Sequence, residues 1–337
     1  MKARLAAVAL LSTLAGCGNV GGSAGAPPTA GAPTSTAGAN SGAILEYAIP
    51  TANAAPWSIT SGSDGALWFT EWGVGKIGRV TPSGAFTEYT VPASGTDPDD
   101  IAAGSDGALW FTETNGNKIG RITTAGKISE YPIPTANRQP QGITAGPDGA
   151  LWFTEFGGIG RITTSGKVTE YQLPGTIVWA ITVGPDGALW FTEGTGEKGI
   201  GRMTTSGAVT QYAIPSGSLQ ALSITAGRDR ALWFTESDNG KIGRITTSGA
   251  VTEYTIPPTK SVPAGLNAGP GSITSGPDGT LWFKATTMVG RLTTAGAFML
   301  FTISTPTTGP EGITSGPDGA VWFTEDGDKS KIGRISP

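Results

Sequence analysis

The chain has 337 residues, 22 lysines and arginines against 26 aspartates and glutamates, a formal net charge of −4, one cysteine and no histidine. A mildly acidic chain with no basic stripe excludes a nucleic-acid surface built on phosphate neutralisation. A lone cysteine excludes an intrachain disulfide, and the lack of histidine removes the side chain that most readily moves protons near neutral pH.

The N-terminus is expected to be an export signal over residues 1–16. Lys2 and Arg4 carry positive charge, Leu5 to Leu14 is apolar but too short to stay in a bilayer as a spanning helix, and Leu14-Ala15-Gly16-Cys17 follows. That tetrapeptide resembles the bacterial lipobox. The resemblance implies that Cys17 becomes the first mature residue and carries lipid, anchoring the protein to the extracytoplasmic face of a bacterial membrane, since two or more acyl chains give stable attachment. Residues 17–43 are mostly Gly, Ala, Pro, Ser and Thr, without periodicity, and read as a flexible tether.

From Ile44 to Pro337 one pattern recurs seven times around L-W-F or V-W-F. Its tryptophans are Trp68, Trp110, Trp152, Trp190, Trp233, Trp282 and Trp322, roughly 42 residues apart, the period of a propeller blade. In the third copy, Ile143 to Ala145 reads as a first strand, Gly146-Pro147-Asp148-Gly149 as a tight turn, Leu151 to Thr154 as a second strand, Ile159 to Thr163 as a third and Val168 to Leu173 as a fourth. The second strand is apolar on both faces, as a sheet sandwiched between neighbours requires. The last copy ends after its third strand, and the missing fourth stands alone at Leu45 to Pro50. The expected fold is an all-β, seven-bladed propeller of four-stranded blades, closed by an N-terminal outermost strand paired to the C-terminal blade.

Residues that recur through the copies are read as scaffold. These include the third-strand arginines (Arg79, Arg121, Arg161 and their equivalents), the fourth-strand glutamates Glu46, Glu88, Glu130, Glu170 and Glu253, and the turn aspartates. Arginines and glutamates are expected to pair across strands or blades. The two G-x-G-x-x-G matches, at Gly73 and Gly194, open no helix and are not dinucleotide sites.

Function is sought where the copies differ. Two residues before the first-strand isoleucine they read Trp57, Asp99, Gln141, Trp179, Leu222, Gly271 and Glu311, with Asp100 adding a second carboxylate. First strands line a propeller's channel, so these residues are expected to ring one mouth, a concave site for a small-molecule or peptide ligand with flat or apolar parts and polar handles. The segment from Pro258 to Ser272 is the one large insertion on that mouth; it reads as a lid or specificity loop, or equally as a tolerated insertion. Most second strands end in T-E, including Glu325, whereas the sixth copy has Lys284-Ala285, and the fifth replaces its turn D-G by Asp229-Arg230.

Strings such as I-T-x-G-P-D-G-A-L-W-F-T-E and K-I-G-R-I-T-T-S-G-x-V-T-E-Y-x-I-P resemble the virginiamycin B lyase (streptogramin B lyase) family across all seven copies. That resemblance implies a propeller acting as a carbon–oxygen lyase, which linearises cyclic depsipeptides by Mg²⁺-dependent elimination. It also implies histidines in P-H-x-I at late blades, with glutamates nearby. Here Gly271 and Glu311 stand at the histidine positions, Gly309 replaces the acid before the proline, and Glu325 roughly retains the last acid. The leading expectation is a monomeric, lipid-anchored binding or interaction module. One alternative is a Mg²⁺-dependent lyase with Glu311 and Glu325 as catalytic carboxylates. The other is a metal-dependent lactone hydrolase. The candidate ligands for a hard cation are Asp99, Asp100, Glu311 and Glu325.

Overall fold

A computed structural model of the protein describes residues 34–36, 43–93, 95–194, 199–258, 269–303, 310–327 and 329–337. The export signal, Cys17 and most of the 258–272 insertion lie outside the described residues. Seven antiparallel sheets follow one another along the chain. The first strands of successive blades are neighbours, and Pro310–Ser315 of blade seven lies beside Pro56–Ser61 of blade one, completing the ring. Strand bounds in blade three run Ile143–Ala145, Leu151–Glu155, Gly158–Ile162 and Val168–Gln172, within a residue of the sequence reading at each end.

Ring closure is as expected. Ile44–Ala48 pairs antiparallel with Lys331–Ile335, setting Ile44 opposite Ile335 and Ala48 opposite Lys331. Lys331 Nζ reaches the buried Glu46 carboxylate at 2.6 Å, and Tyr47 stacks on Trp322 with ring centroids 5.7 Å apart. One feature departs from the reading. Thr34–Thr36, inside the segment read as a tether, forms a further strand outside Ile44–Ala48, so blade seven has five strands. An edge strand offers a row of unpaired backbone groups, and β-branched threonines suit that pairing even in a sequence too polar to build a core.

Blades pack face to face. Each second-strand tryptophan is fully buried and belongs as much to the next blade as to its own: Trp68 packs with Leu109, Phe111 and Ile122 of blade two. Its far face carries the fourth-strand Tyr89, stacked at 5.6 Å. Between second and fourth strands the third-strand glycine leaves room for a ring: a Cβ on Gly78 would lie 2.1 Å from Phe69 Cζ.

The repeated charges do pair across strands, with partners the sequence did not specify. Arginines go to the turn aspartates of their own blade. Arg79 Nε donates to Asp64 Oδ2 at 2.7 Å, Trp68 Nε1 donates to Asp64 Oδ1 at 3.0 Å, and the guanidinium lies 5.8 Å from the Trp68 ring centroid. Burial alone would raise the Asp64 pKa, but the bonds from Trp68 and Arg79 outweigh it and hold the carboxyl below its ordinary value. Most fourth-strand glutamates pair with third-strand lysines, as in Lys76–Glu88 at 3.0 Å and Lys118–Glu130 at 3.2 Å, while Glu170 pairs with Arg138 at 3.1 Å. The reason is register. Glu88 lies opposite Gly78, two residues from Lys76 on the third strand, whereas Arg79 emerges on the other face, toward the turn.

Candidate functional site at the channel mouth

Where each first strand begins, its pairing slips. In blade one Pro56 lies opposite Glu71, but Ile59 lies opposite Phe69, so Trp57 and Ser58 together face the single Thr70. This is a β-bulge. It recurs in blades two, four, five, six and seven. In blades one to five two consecutive positions at the start of the first strand line the channel where the sequence reading expected one, and in blades six and seven only the second does. The missed set is Ser58, Gly142, Ala180, Ser223, Ser272 and Gly312; Asp100 is the one member the sequence singled out. The signal for it was the small or polar residue directly before every first-strand isoleucine.

In blades one to five and seven a threonine staples the start of the first strand. The Ser58 amide donates to Thr70 Oγ1 at 3.0 Å, and Thr70 Oγ1 donates on to the Asp99 carbonyl of blade two at 2.8 Å. The same relay runs through Thr112 to Gln141, through Thr154 to Trp179, and through Thr324 across the closure to Trp57. Buried polar atoms are thereby satisfied, and the ring of first strands is tied blade to blade.

Inside this ring is a cavity of about 180 Å³, open on one side to solvent, lined by Trp57, Asp99, Asp100, Gln141, Trp179 and Leu222 among the sequence candidates. The bulge residues and first-strand isoleucines complete the wall. Asp100 is built into it: Ser58 Oγ donates to Oδ1 at 2.5 Å, and the Ile143 amide of blade three donates to Oδ2 at 2.8 Å. It therefore bridges three blades.

Gly271 and Glu311 are not on the cavity wall. Blade six has Lys284 where other blades have the stapling threonine, and Lys284 Nζ donates to Glu311 Oε2 of blade seven in an ion pair with both side chains largely buried. The lysine passes over Gly271, where a Cβ would lie 2.5 Å from Lys284 Cε. The three departures that the sequence showed separately, Lys284, Gly271 and Glu311, form one unit. A Thr-to-carbonyl staple has been replaced by a cross-blade ion pair, and the glycine makes room for it.

Glu325 is also off the wall. It belongs to the buried glutamates that end the second strands: Glu71, Glu113, Glu155, Glu193, Glu236 and Glu325. Burial, aided by the Glu88 charge, pushes the Glu71 carboxyl up to about 8. Burial and Glu170 take Glu155 to about 7, and burial likewise raises Glu113 and Glu236. These carboxyls are protonatable near neutrality, but they point into their own blades, toward the fourth-strand glutamates.

The four carboxylates named as possible Mg²⁺ ligands do not converge. Asp100 is bound into the wall, Glu311 faces an ammonium, and Glu325 is buried at the end of its strand. Among the described residues no group of three or more His, Cys, Asp or Glu side chains could hold a metal ion. These residues do not fit a resident Mg²⁺.

The model of the virginiamycin B lyase family matches residues 36–178, 158–272 and 266–337. The chain belongs to this family. Its propeller superposes on the virginiamycin B lyase of Staphylococcus aureus with a TM-score of 0.80 at 40% identity, covering 88% of this chain and 99% of that one. A streptogramin B lyase structure matches at 38% identity and TM-score 0.81, covering 88% and 97%. A catalytically inactive histidine-to-alanine variant of the S. aureus enzyme, with quinupristin, matches at 40% identity and TM-score 0.81, covering 88% and 99%. A gluconolactonase-like structure, at 14% identity and TM-score 0.51, shares the fold alone.

Proposed function

We propose that this member of the family is an exported, lipid-anchored binding module that holds a compact amphipathic ligand at the channel mouth without lyase chemistry. The observation that carries the reading is the Lys284–Glu311 pair. A family relative loses activity when one histidine becomes alanine; this chain has no histidine at all, and Glu311 is engaged by an ammonium rather than presented to a ligand. The mouth nevertheless keeps what binding needs: a concave site with two tryptophans and polar groups on its wall. Three apolar side chains outside the strands, Trp72, Phe156 and Leu219, are also exposed.

A second reading has its own support. Identity of 40% over 88% of the chain favours a surviving C–O lyase, with a carboxylate as base and Mg²⁺ bound along with the substrate. One experiment separates the two. The purified protein is incubated with a streptogramin B-type depsipeptide, with Mg²⁺ or chelator, and followed by chromatography and mass. Saturable binding without product supports the binding module. A ring-opened product of unchanged mass overturns it in favour of elimination, and a product heavier by one water points to hydrolysis. For the anchor, Cys17→Ala is expected to move the protein from the membrane pellet to the soluble fraction; unchanged fractionation and retained fatty-acid labelling would defeat it.

A further inference from the structure

The two ends of the propeller carry surplus charge of opposite sign. First strands begin at the mouth and neighbouring strands are antiparallel. The turns joining first to second and third to fourth strands therefore gather at the other end, as Ser61 opposite Leu67 and Val80 opposite Phe86 show in blade one. At this turn end every aspartate is matched by an arginine of its own blade, from Arg79 with Asp64 to Arg334 with Asp318. Beyond these pairs its charged side chains are all cationic. Lys127, Lys167, Arg228 and Arg230 are exposed, and none of them is in an ion pair among the described residues.

All four are departures from the repeat. Lys127 and Lys167 follow a turn glycine where blades one, four, five and six have alanine, Arg230 stands for glycine, and Arg228 for the proline or serine of other blades. Arg228 Nη2 donates to the Pro277 carbonyl of blade six at 2.9 Å, which holds the guanidinium across the seam between two blades. The remaining acids of the ring lie on first-strand starts, second-strand ends, fourth strands and the loops at the mouth. Ring residues outside the described ones, at 94, 195–198, 259–268, 304–309 and 328, connect strand ends that are at the mouth, and residues 1–42 contain no aspartate or glutamate. The terminal carboxylate at Pro337 is in blade seven, which adjoins none of the blades that carry the surplus.

Strands of five residues, about 17 Å long, separate the two ends, about twice the Debye length at physiological salt. The mouth acids are thus screened from whatever meets the turn end, and the surplus there acts locally as a basic face. Its cations are spread over blades two, three and five, an arrangement that suits a plane of negative charge better than one small anion. Such a plane is within reach of the anchor: a flexible chain from Cys17 to residue 33 spans roughly 20–25 Å. That tether is neutral, with no charged residue from Leu5 to Leu45, so the ends of the propeller decide how it lies.

We infer that the turn end is the face on which the anchored propeller rests against anionic lipid headgroups, holding its mouth toward the medium. This rests on the lipid anchor proposed above and gives the anchored protein an orientation.

The test uses the full protein isolated with its lipid and reconstituted in vesicles of phosphatidylglycerol with phosphatidylcholine, or of phosphatidylcholine alone. Brief lysine acetylation is read by peptide mass. Lys127 and Lys167 are expected to react at least about fivefold more slowly on the anionic vesicles, the worth of one basic residue at an anionic surface, and the difference should vanish at high salt. Lys329, exposed in the mouth loop of blade seven, should react equally on both. Arg228→Gln with Arg230→Gln should weaken the protection, and the double lysine variant should keep it. Lipidated protein that labels identically on both vesicles, or that protects Lys329 instead, leaves the anchor standing and overturns the orientation. Protection of Lys127 and Lys167 without vesicles, in salt-sensitive oligomers, would make a second copy the partner and also overturn it. Protein without an acyl chain that still binds only anionic vesicles through these lysines removes the anchor and upholds the face; if it binds neither vesicle, both fall.

Discussion

Blade one and blade six are the same fold built with opposite chemistry at the mouth. Blade one closes its outer end with Glu71, Lys76 and Glu88, and the preceding loop is clamped onto this cluster by Thr51, whose amide and hydroxyl both donate to Glu88. At the matching positions blade six has Ala285, Met288 and Leu300, identified by the registers Ala285 opposite Met288 and Gly290 opposite Leu300. It also exchanges the stapling threonine for Lys284. Its aromatic stack is kept: Trp282 is fully buried and stacks on Phe301 at 5.5 Å. A blade therefore tolerates wholesale replacement of its polar cluster when all members change together, because an apolar triplet leaves no orphaned charge.

The largest expected effect comes from breaking the pair peculiar to blade six. Lys284→Ala leaves a largely buried Glu311 carboxylate without its counter-ion and should cost about 3 kcal/mol. Lys284→Thr combined with Glu311→Gln, which rebuilds the staple of blade one, should recover most of that. Denaturant unfolding of the three proteins measures both; an undiminished midpoint in Lys284→Ala would show that the pair carries no stability.

Next is pH. Folding holds Glu71 near 8 instead of its ordinary 4.5, so the folded state binds more protons than the unfolded one between those values. This contribution is fully present below about 4.5 and is lost as pH rises toward 8. The turn aspartates, exemplified by Asp64, Asp106 and Asp318, are shifted below 3.8, so theirs is present above that value and lost as pH falls through it. Stability should peak at mildly acidic pH, and Glu71→Gln should stabilise the protein by on the order of 2 kcal/mol at pH 8 and little at pH 5. Importing the blade-six set, Glu71→Ala with Lys76→Met and Glu88→Leu, should flatten the slope above pH 5. A slope that is unchanged in both variants would contradict the assignment.

Two smaller effects sharpen the comparison at the other end of the blades. In the fifth, Arg230 sits at φ 62 in a turn where the others have glycine, and Arg230→Gly should stabilise by about 1 kcal/mol. In the sixth, Thr280 Oγ1 donates to Asp278 Oδ1 at 2.7 Å, in place of the tryptophan, and the buried Trp282 Nε1 has no partner. Thr280→Ala frees that oxygen and should add about 0.5–1 kcal/mol. Thermal unfolding reads both.

The propeller, its blade order and its closure were legible because an apolar triplet repeated at a fixed period leaves one way to bury all seven tryptophans. The channel mouth was legible at Trp57, Asp99, Asp100, Gln141, Trp179 and Leu222, since side chains that vary on an otherwise constant strand start mark the wall. The bulge was not, as it depends on how two strands slip in register, and neither strand carries that alone. Nor was the grouping of Lys284, Gly271 and Glu311. They are separated along the chain and join only because the second strand of one blade faces the first strand of the next. The partners in the charge pairing were not legible for a related reason: sequence supplies the charges, but the alternation of faces decides that Arg79 meets Asp64 and Lys76 meets Glu88.

The seal between Ile44–Ala48 and Lys331–Ile335 also sets a timetable. The strand that completes the last blade is the first of the ring to be synthesised, and its partner is nearly the last. Throughout translation the early strand must wait, and six blades can assemble while the seventh lacks its outer edge. Shortening the chain by its final strand or removing its first is then the same lesion, and a nascent or clipped molecule exposes the edge through which two copies could exchange strands.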